Sequence, residues 1–84
     1  MKIVFFDVDT QLDFLLPAGA LYVPGAEGII ANLKRLTDYA AARSIPVVST
    51  LDTHTEDDGE FAEYSFHPHC VEGATGHNKV SVTL

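Results

Sequence analysis

From Lys2 to Val8 the chain reads K-I-V-F-F-D-V, an apolar and β-branched run with no alternation between apolar and polar positions. A strand of that kind has no solvated face, and it suits a parallel sheet, where both faces are covered. Between Ala26 and Arg43, the residues Ile29, Ile30, Leu33, Leu36, Ala40 and Ala41 recur at helical spacing, while Lys34, Arg35 and Asp38 fall mostly between them. The spacing predicts an amphipathic helix, bounded by Pro24-Gly25 before it and Pro46 after it. Ile45 to Leu51, I-P-V-V-S-T-L, predicts a second buried strand, with Pro46 tolerable only at its start. Strand, helix and strand in this order make a βαβ unit with a right-handed crossover, so the fold class is α/β.

After Leu51 neither period persists. Asp52 to Leu84 carries Gly59, Pro68, Gly73 and Gly76 among polar residues. Stretches of more than about 12–15 residues without regular structure are uncommon in compact domains unless they are functional. One helix covers one face of two strands, yet Ile3, Val4, Phe5 and Phe6 need cover on both. The expectation is therefore a piece of a larger fold. Its remainder is removed, carried on a second polypeptide, or replaced by self-association.

Composition narrows the partners. Eighty-four residues make one small domain, and 46% apolar with 20% charged residues is too apolar for a disordered chain. Five Lys and Arg against 12 Asp and Glu give a net charge of -7. With no basic patch to neutralise phosphates, nucleic-acid and anionic-membrane partners are excluded. No apolar run approaches the roughly 18–20 residues of a spanning helix, and the N-terminus lacks a signal-peptide pattern. A single cysteine forms no internal disulfide and fits a reducing, cytoplasmic compartment.

In open parallel sheets, ligands sit beyond the carboxyl ends of the strands. The first strand delivers Asp7 and Asp9 to that edge, and the second delivers Asp52 and His54. Two residues apart in an extended segment, Asp52 and His54 point to the same side, so a carboxylate oxygen and an imidazole nitrogen can grip one ion. Glu60 and the quartet His67-Pro68-His69-Cys70 follow, with His69 better placed than His67. Imidazoles and carboxylates with few thiols suit a Zn, Mn or Fe site that keeps open positions. The same residues taken singly also read as ordinary surface. Asp9 would then be a turn or cap, Glu56, Asp57, Asp58 and Glu60 an acidic loop, and Cys70 a small half-buried side chain.

Four spaced motifs resemble one family. Asp9-Thr10-Gln11-Leu12-Asp13-Phe14 resembles the D-x-Q-x-D-F opening of the isochorismatase-like cysteine hydrolases. Gly19 to Ala26 resembles their G-x-L-x-V-x-G-A segment, and Val47 to His54 is similar to their second strand ending in D-x-H. Phe66 to Gly73 with Gly76 resembles their F-x-P-H-C-x-x-G-x-x-G run. The D-x-H and P-H-C motifs mark the nicotinamidase branch.

The resemblance implies a three-layer α/β fold with a parallel sheet, of which residues 1–84 are the N-terminal part of one hydrolase domain, holding the first βαβ unit and the metal loop. It implies that the complete protein converts nicotinamide, or a related carboxamide, to nicotinate and ammonia with a divalent metal, zinc foremost and Mn or Fe as alternatives. Asp52, His54 and His69 would bind the metal, with Glu60 in a fourth position. Asp9 would be the acid/base partner of a nucleophilic cysteine, and Phe14 and Phe66 would flank a flat aromatic ring. The family's nucleophilic cysteine and catalytic lysine lie downstream of the glycine-rich segment. Neither Cys70 nor Lys79 matches them, so this chain holds no nucleophile and is expected to be inactive alone.

Two rival readings remain at this point. Phe6-Asp7-Val8-Asp9-Thr10 and Val48-Ser49-Thr50 resemble the haloacid-dehalogenase-like phosphatases, with Asp7 as nucleophile, Asp9 as general acid and Mg²⁺ between carboxylates. Nothing in that class requires Asp52-x-His54 or Pro68-His69-Cys70. The other rival is a non-catalytic metal-binding half, or an inert remnant.

Overall fold

A computed structural model describes residues 1–63 and 66–83, apart from the side chain of Ala62. Tyr64, Ser65 and Leu84 of the expected polar tail lie outside the described residues. Strand β1 (Phe5–Val8) and strand β2 (Val47–Thr50) pair in parallel, Phe5 opposite Val47 and Val8 opposite Thr50. Both are shorter than the predicted runs Lys2–Val8 and Ile45–Leu51. Pro46 accepts a hydrogen bond from the Phe5 N–H at 3.0 Å but has no N–H to return, so the ladder stops there.

A four-residue helix α1 (Leu12–Leu15) follows β1. The predicted helix Ala26–Arg43 divides into a 3₁₀ turn, Ala26–Ile29, and helix α2 (Ile30–Ala42). Gly25, left-handed at φ 84°, starts the turn, and i to i+3 bonds such as Gly28 N–H to the Gly25 carbonyl wind it tightly. Ser44, also left-handed at φ 54°, ends α2, with its own N–H on the Ala41 carbonyl and the Ile45 N–H on the Ala40 carbonyl. The Tyr39 ring of α2 stacks on Phe5 of β1 at 6.4 Å between centroids. That covers Phe5 in part, while Val47 on the same face stays 44% exposed. On the other, Phe6 (69% exposed), Val8 and Val48 lie open, as the deficit in cover predicts.

The segment after Leu51 is not irregular throughout, which corrects the sequence expectation. It contains helix α3 (Gly59–Glu63) and 3₁₀ turns at Thr75–His77 and Ser81–Thr83. It returns to the strand ends through a parallel bridge, His54 to Val71, and an antiparallel one, Gln11 to Lys79. Elements of one turn are too short to leave a hydrophobic period in the sequence. Leu15, Ala40, Phe61, Cys70 and Val80 are buried, and so are the polar Thr10, Gln11, His54 and His69. The polar members of this interior all lie around the strand tips.

Candidate metal centre

Because Val8 pairs with Thr50, the two strands release Asp9 and Asp52 at the same edge. Asp9 turns sharply out of β1 in the left-handed region, φ 53°. Thr50 holds that turn at both ends: its hydroxyl accepts from the Asp9 N–H at 3.0 Å and donates to Asp9 Oδ1 at 2.7 Å. Asp9 and Phe14 then line one open depression of about 370 Å³ with Leu15 and Val23 among its apolar walls.

Three other side chains converge on one point. Asp52 Oδ2 lies 2.9 Å from His54 Nε2 and 3.3 Å from His69 Nε2. The three ligand-capable atoms fall within 4.8 Å of one another, and both imidazoles are nearly sequestered from solvent. His69 Nδ1 faces the His67 carbonyl at 2.7 Å. A carbonyl only accepts, so Nδ1 carries a proton, and Nε2 is the nitrogen turned toward Asp52. His67 thus acts through its backbone, not its ring. The rings of Phe14, Phe61 and Phe66 surround His69 at 5.7, 5.2 and 5.9 Å, and Phe61 also packs on His54 at 4.9 Å.

Carboxylates sit at both edges of the His54 ring. Asp58 Oδ2 is 3.0 Å from Nδ1, and Glu60 Oε2 is 3.6 Å from the same nitrogen. The hydrogen bond to Asp58 raises the His54 pKa most, burial opposes it, and Asp52 and Glu60 add to the rise. Two imidazoles and a carboxylate, turned toward a common point, are a donor set that could hold a divalent ion. The chemistry of the residues fits such an ion. Of the four predicted ligands, Asp52, His54 and His69 come together, whereas Glu60 lies across the His54 ring from them. Asp58, which the sequence reading left in an acidic loop, is closer to His54 than Glu60 is.

The D-x-Q-x-D-F segment explains how the strand tips and the distant loop are held in place. Gln11 is fully buried, and its amide donates to the carbonyls of Asp52 and His77 at 2.9 and 2.7 Å while accepting from the Asp52 N–H at 2.9 Å. Asp13 accepts from the Cys70 N–H at 2.7 Å and the Ala20 N–H at 2.9 Å. Cys70 itself is left-handed, φ 49°, so this bond secures a turn that side chains ordinarily avoid, next to His69. The Cys70 thiol is fully buried. Burial first, then the charges of Asp52, Asp13 and Asp9, push its pKa up to about 12.

Asp7 is held by its neighbours. Its carboxylate accepts from the Thr10 hydroxyl at 2.7 Å and the Ser49 hydroxyl at 3.3 Å, and pairs with Lys79 Nζ at 3.3 Å. Lys79 donates in addition to the Thr50 carbonyl at 2.8 Å. The pair ties the two strand tips together.

The family model for the isochorismatase domain matches residues 4–82. The chain belongs to the isochorismatase family, and its two strands and crossover helix form part of that α/β fold. Among solved structures, the pyrazinamidase of Pyrococcus horikoshii in complex with zinc is 32% identical, with a TM-score of 0.83 over 92% of this chain and 44% of that one. A nicotinamidase/pyrazinamidase from Bacillus subtilis is 28% identical, with a TM-score of 0.84 over 99% and 46% of the two chains. The yeast nicotinamidase bound to the inhibitor nicotinaldehyde is 26% identical, with a TM-score of 0.83 over 98% and 50%. The chain thus spans about half the length of these structures. No curated protein sequence matches it. Among the described residues, no helix is long and apolar enough to cross a membrane.

Proposed function

We propose that residues 1–84 are the N-terminal part of one isochorismatase-like hydrolase domain, and that the complete domain hydrolyses nicotinamide or a related carboxamide to the carboxylate and ammonia. The observation that carries this reading is the convergence of Asp52, His54 and His69 on one point beside the strand tip that bears Asp9. Likeness to a zinc-bound pyrazinamidase at 32% identity supports it. In this reading Asp52, His54 and His69 hold a divalent ion, zinc foremost with manganese or iron as alternatives, and Glu60 reaches it only by swinging around the His54 ring. Such an ion supplies a Lewis-acid anchor for a ring nitrogen.

Phe14 and Phe66 offer aromatic faces to a flat substrate ring, and both already contact His69. Asp9 accepts the proton of the attacking thiol, its carboxylate oriented by Thr50. That thiol is not Cys70, which is sealed in the interior and held protonated at neutral pH. The nucleophile and its lysine lie in the part of the domain that these residues do not include, about half of the matched structures' length, and that part would also cover Phe6, Val8 and Val48. The compartment is cytoplasmic.

A second reading, a metal-binding half without catalysis of its own, rests on the state of Cys70, the chain's one cysteine. Ammonia release from nicotinamide in the presence of zinc separates the two, measured on the 84-residue chain and on whatever co-purifies with it. The amidase reading expects no release from the chain alone and release from the assembled species, abolished by Asp9→Asn. Turnover by the lone chain that Cys70→Ser eliminates would overturn the placement of the nucleophile. Failure of any co-purifying species to release ammonia would favour the non-catalytic half.

A further inference from the structure

The His54 ring has two nitrogens, and each faces a carboxylate: Nε2 toward Asp52 at 2.9 Å, Nδ1 toward Asp58 at 3.0 Å. Only one of them can serve an ion shared with His69, and the geometry of His69 decides which. Its Nε2 lies 3.3 Å from the same Asp52 oxygen that His54 Nε2 approaches. To hold an ion shared with His69 and Asp52, His54 would present Nε2 as a lone pair and keep its proton on Nδ1. Asp58 is the group against that proton.

Asp58 is itself fixed. It precedes α3, and its Oδ1 accepts from the Glu60 N–H at 2.9 Å, the bond of a helix N-cap to the second residue of the helix. With Oδ1 on the helix, Oδ2 lies 3.0 Å from His54 Nδ1. One carboxylate therefore couples the start of α3 to the tautomer of a ligand imidazole. Ring nitrogens that ligate metals are commonly oriented in this way through the opposite nitrogen. Glu60 is 3.6 Å from Nδ1, beyond hydrogen-bonding range.

We propose that Asp58 is the positioning residue of the metal centre, holding His54 with its proton on Nδ1 and its Nε2 lone pair aimed at the ion shared with Asp52 and His69. The inference rests on the metal reading given above. It assigns a role to a residue outside the ligand set, and it makes α3 part of the site.

The test uses the 84-residue chain and Zn²⁺ alone, with affinity measured by chelator competition and the His54 ring followed by ¹⁵N NMR of the zinc-loaded protein. Asp58→Ser keeps a side-chain cap for α3 but is too short to reach His54. Asp57→Ser, one residue away and exposed, makes the same change in charge. Asp58→Ser is expected to weaken zinc binding about 10–100-fold at unchanged stoichiometry, and to lose the protected Nδ1–H resonance. Asp57→Ser is expected to leave both within about twofold of the parent, the scale of a screened surface charge. Equal losses in the two variants would mean that charge alone acts, and unchanged affinity with Nδ1–H intact in Asp58→Ser would overturn the inference while leaving the metal reading in place. Absence of one-to-one zinc binding by the unaltered chain would overturn both.

Discussion

Gln11 and Asp52 are joined by a two-way hydrogen bond, the Gln11 amide donating to the Asp52 carbonyl and accepting from the Asp52 N–H, each at 2.9 Å. The side chain imitates a neighbouring strand at the point where β2 has already ended, so a ligand carboxylate is held on a rigid backbone beyond the sheet. Gln11→Leu preserves bulk and leaves two carbonyls and one N–H of a buried region without partners. The expected cost is roughly 2–4 kcal/mol of stability, read from urea unfolding. Metal affinity should fall with it. A variant that loses stability but binds zinc as before would confine Gln11 to the fold.

Asp13 plays the matching part for the other side of the centre, and two glycines make room for it. A Cβ on Gly19 would land on the Asp13 main chain, and a Cβ on Gly76 on its carboxylate. Gly19→Ala is expected to destabilise by about 1–3 kcal/mol, because backbone cannot give way. Gly76→Ala should do less to stability and more to zinc binding, since the displaced carboxylate releases the Cys70 N–H beside His69. Gly28→Ala meets nothing within 4 Å and should be neutral or stabilising by up to about 1 kcal/mol. Thermal melts and zinc titrations of the three variants give the comparison. Equal behaviour of Gly19→Ala and Gly28→Ala would contradict the packing around Asp13.

What could be read from the sequence follows a physical divide. Phe5–Val8, Ile30–Ala42 and Val47–Thr50 are visible because each carries a run or a period long enough to imply a buried face. Asp52 and His54 are visible because they sit two apart at a strand end. His69 is a candidate from clustering alone and gains its role from the family motif, since sixteen positions intervene between residues 52 and 69. The parts that bind these together left no local trace. Gln11 reaches Asp52 across 41 positions and Asp13 reaches Cys70 across 57. Asp58 is one of three consecutive acidic residues, and only its two hydrogen bonds distinguish it from Asp57. A cap residue before a short helix was the one cue available, and α3 is too short to announce itself.

Cys70 gives a pH test. Burial and three nearby carboxylates push its pKa up to about 12, above the 9.0 of a free thiol. A group whose folded pKa is raised in this way is protonated in both states below the free value, so its contribution is intact there. Between about pH 9 and pH 12 the unfolded thiol ionises first, and stability falls by up to about 1.4 kcal/mol for each pH unit. In chelator-treated protein, Cys70→Ser should flatten that limb of the stability profile. Alkylation of the parent chain at neutral pH should likewise wait for unfolding. Prompt modification of the folded chain would contradict the sealed thiol.

The last expectation concerns the two faces of the sheet. Phe5 stacks on Tyr39 beneath α2, whereas its neighbour Phe6 is 69% exposed together with Val8 and Val48. Phe5→Ala removes contacts already made and should cost about 1–3 kcal/mol. Phe6→Ser removes almost none and should change unfolding by under about 0.5 kcal/mol. Its effect belongs to association instead. An apolar sheet face in water favours anything that covers it, whether a copy of the chain or a second polypeptide. Sedimentation of the parent and the Phe6→Ser variant over a concentration series should show weaker association in the variant at equal stability. Association that survives Phe6→Ser unchanged would place the contact on some other surface and leave this face to a different partner.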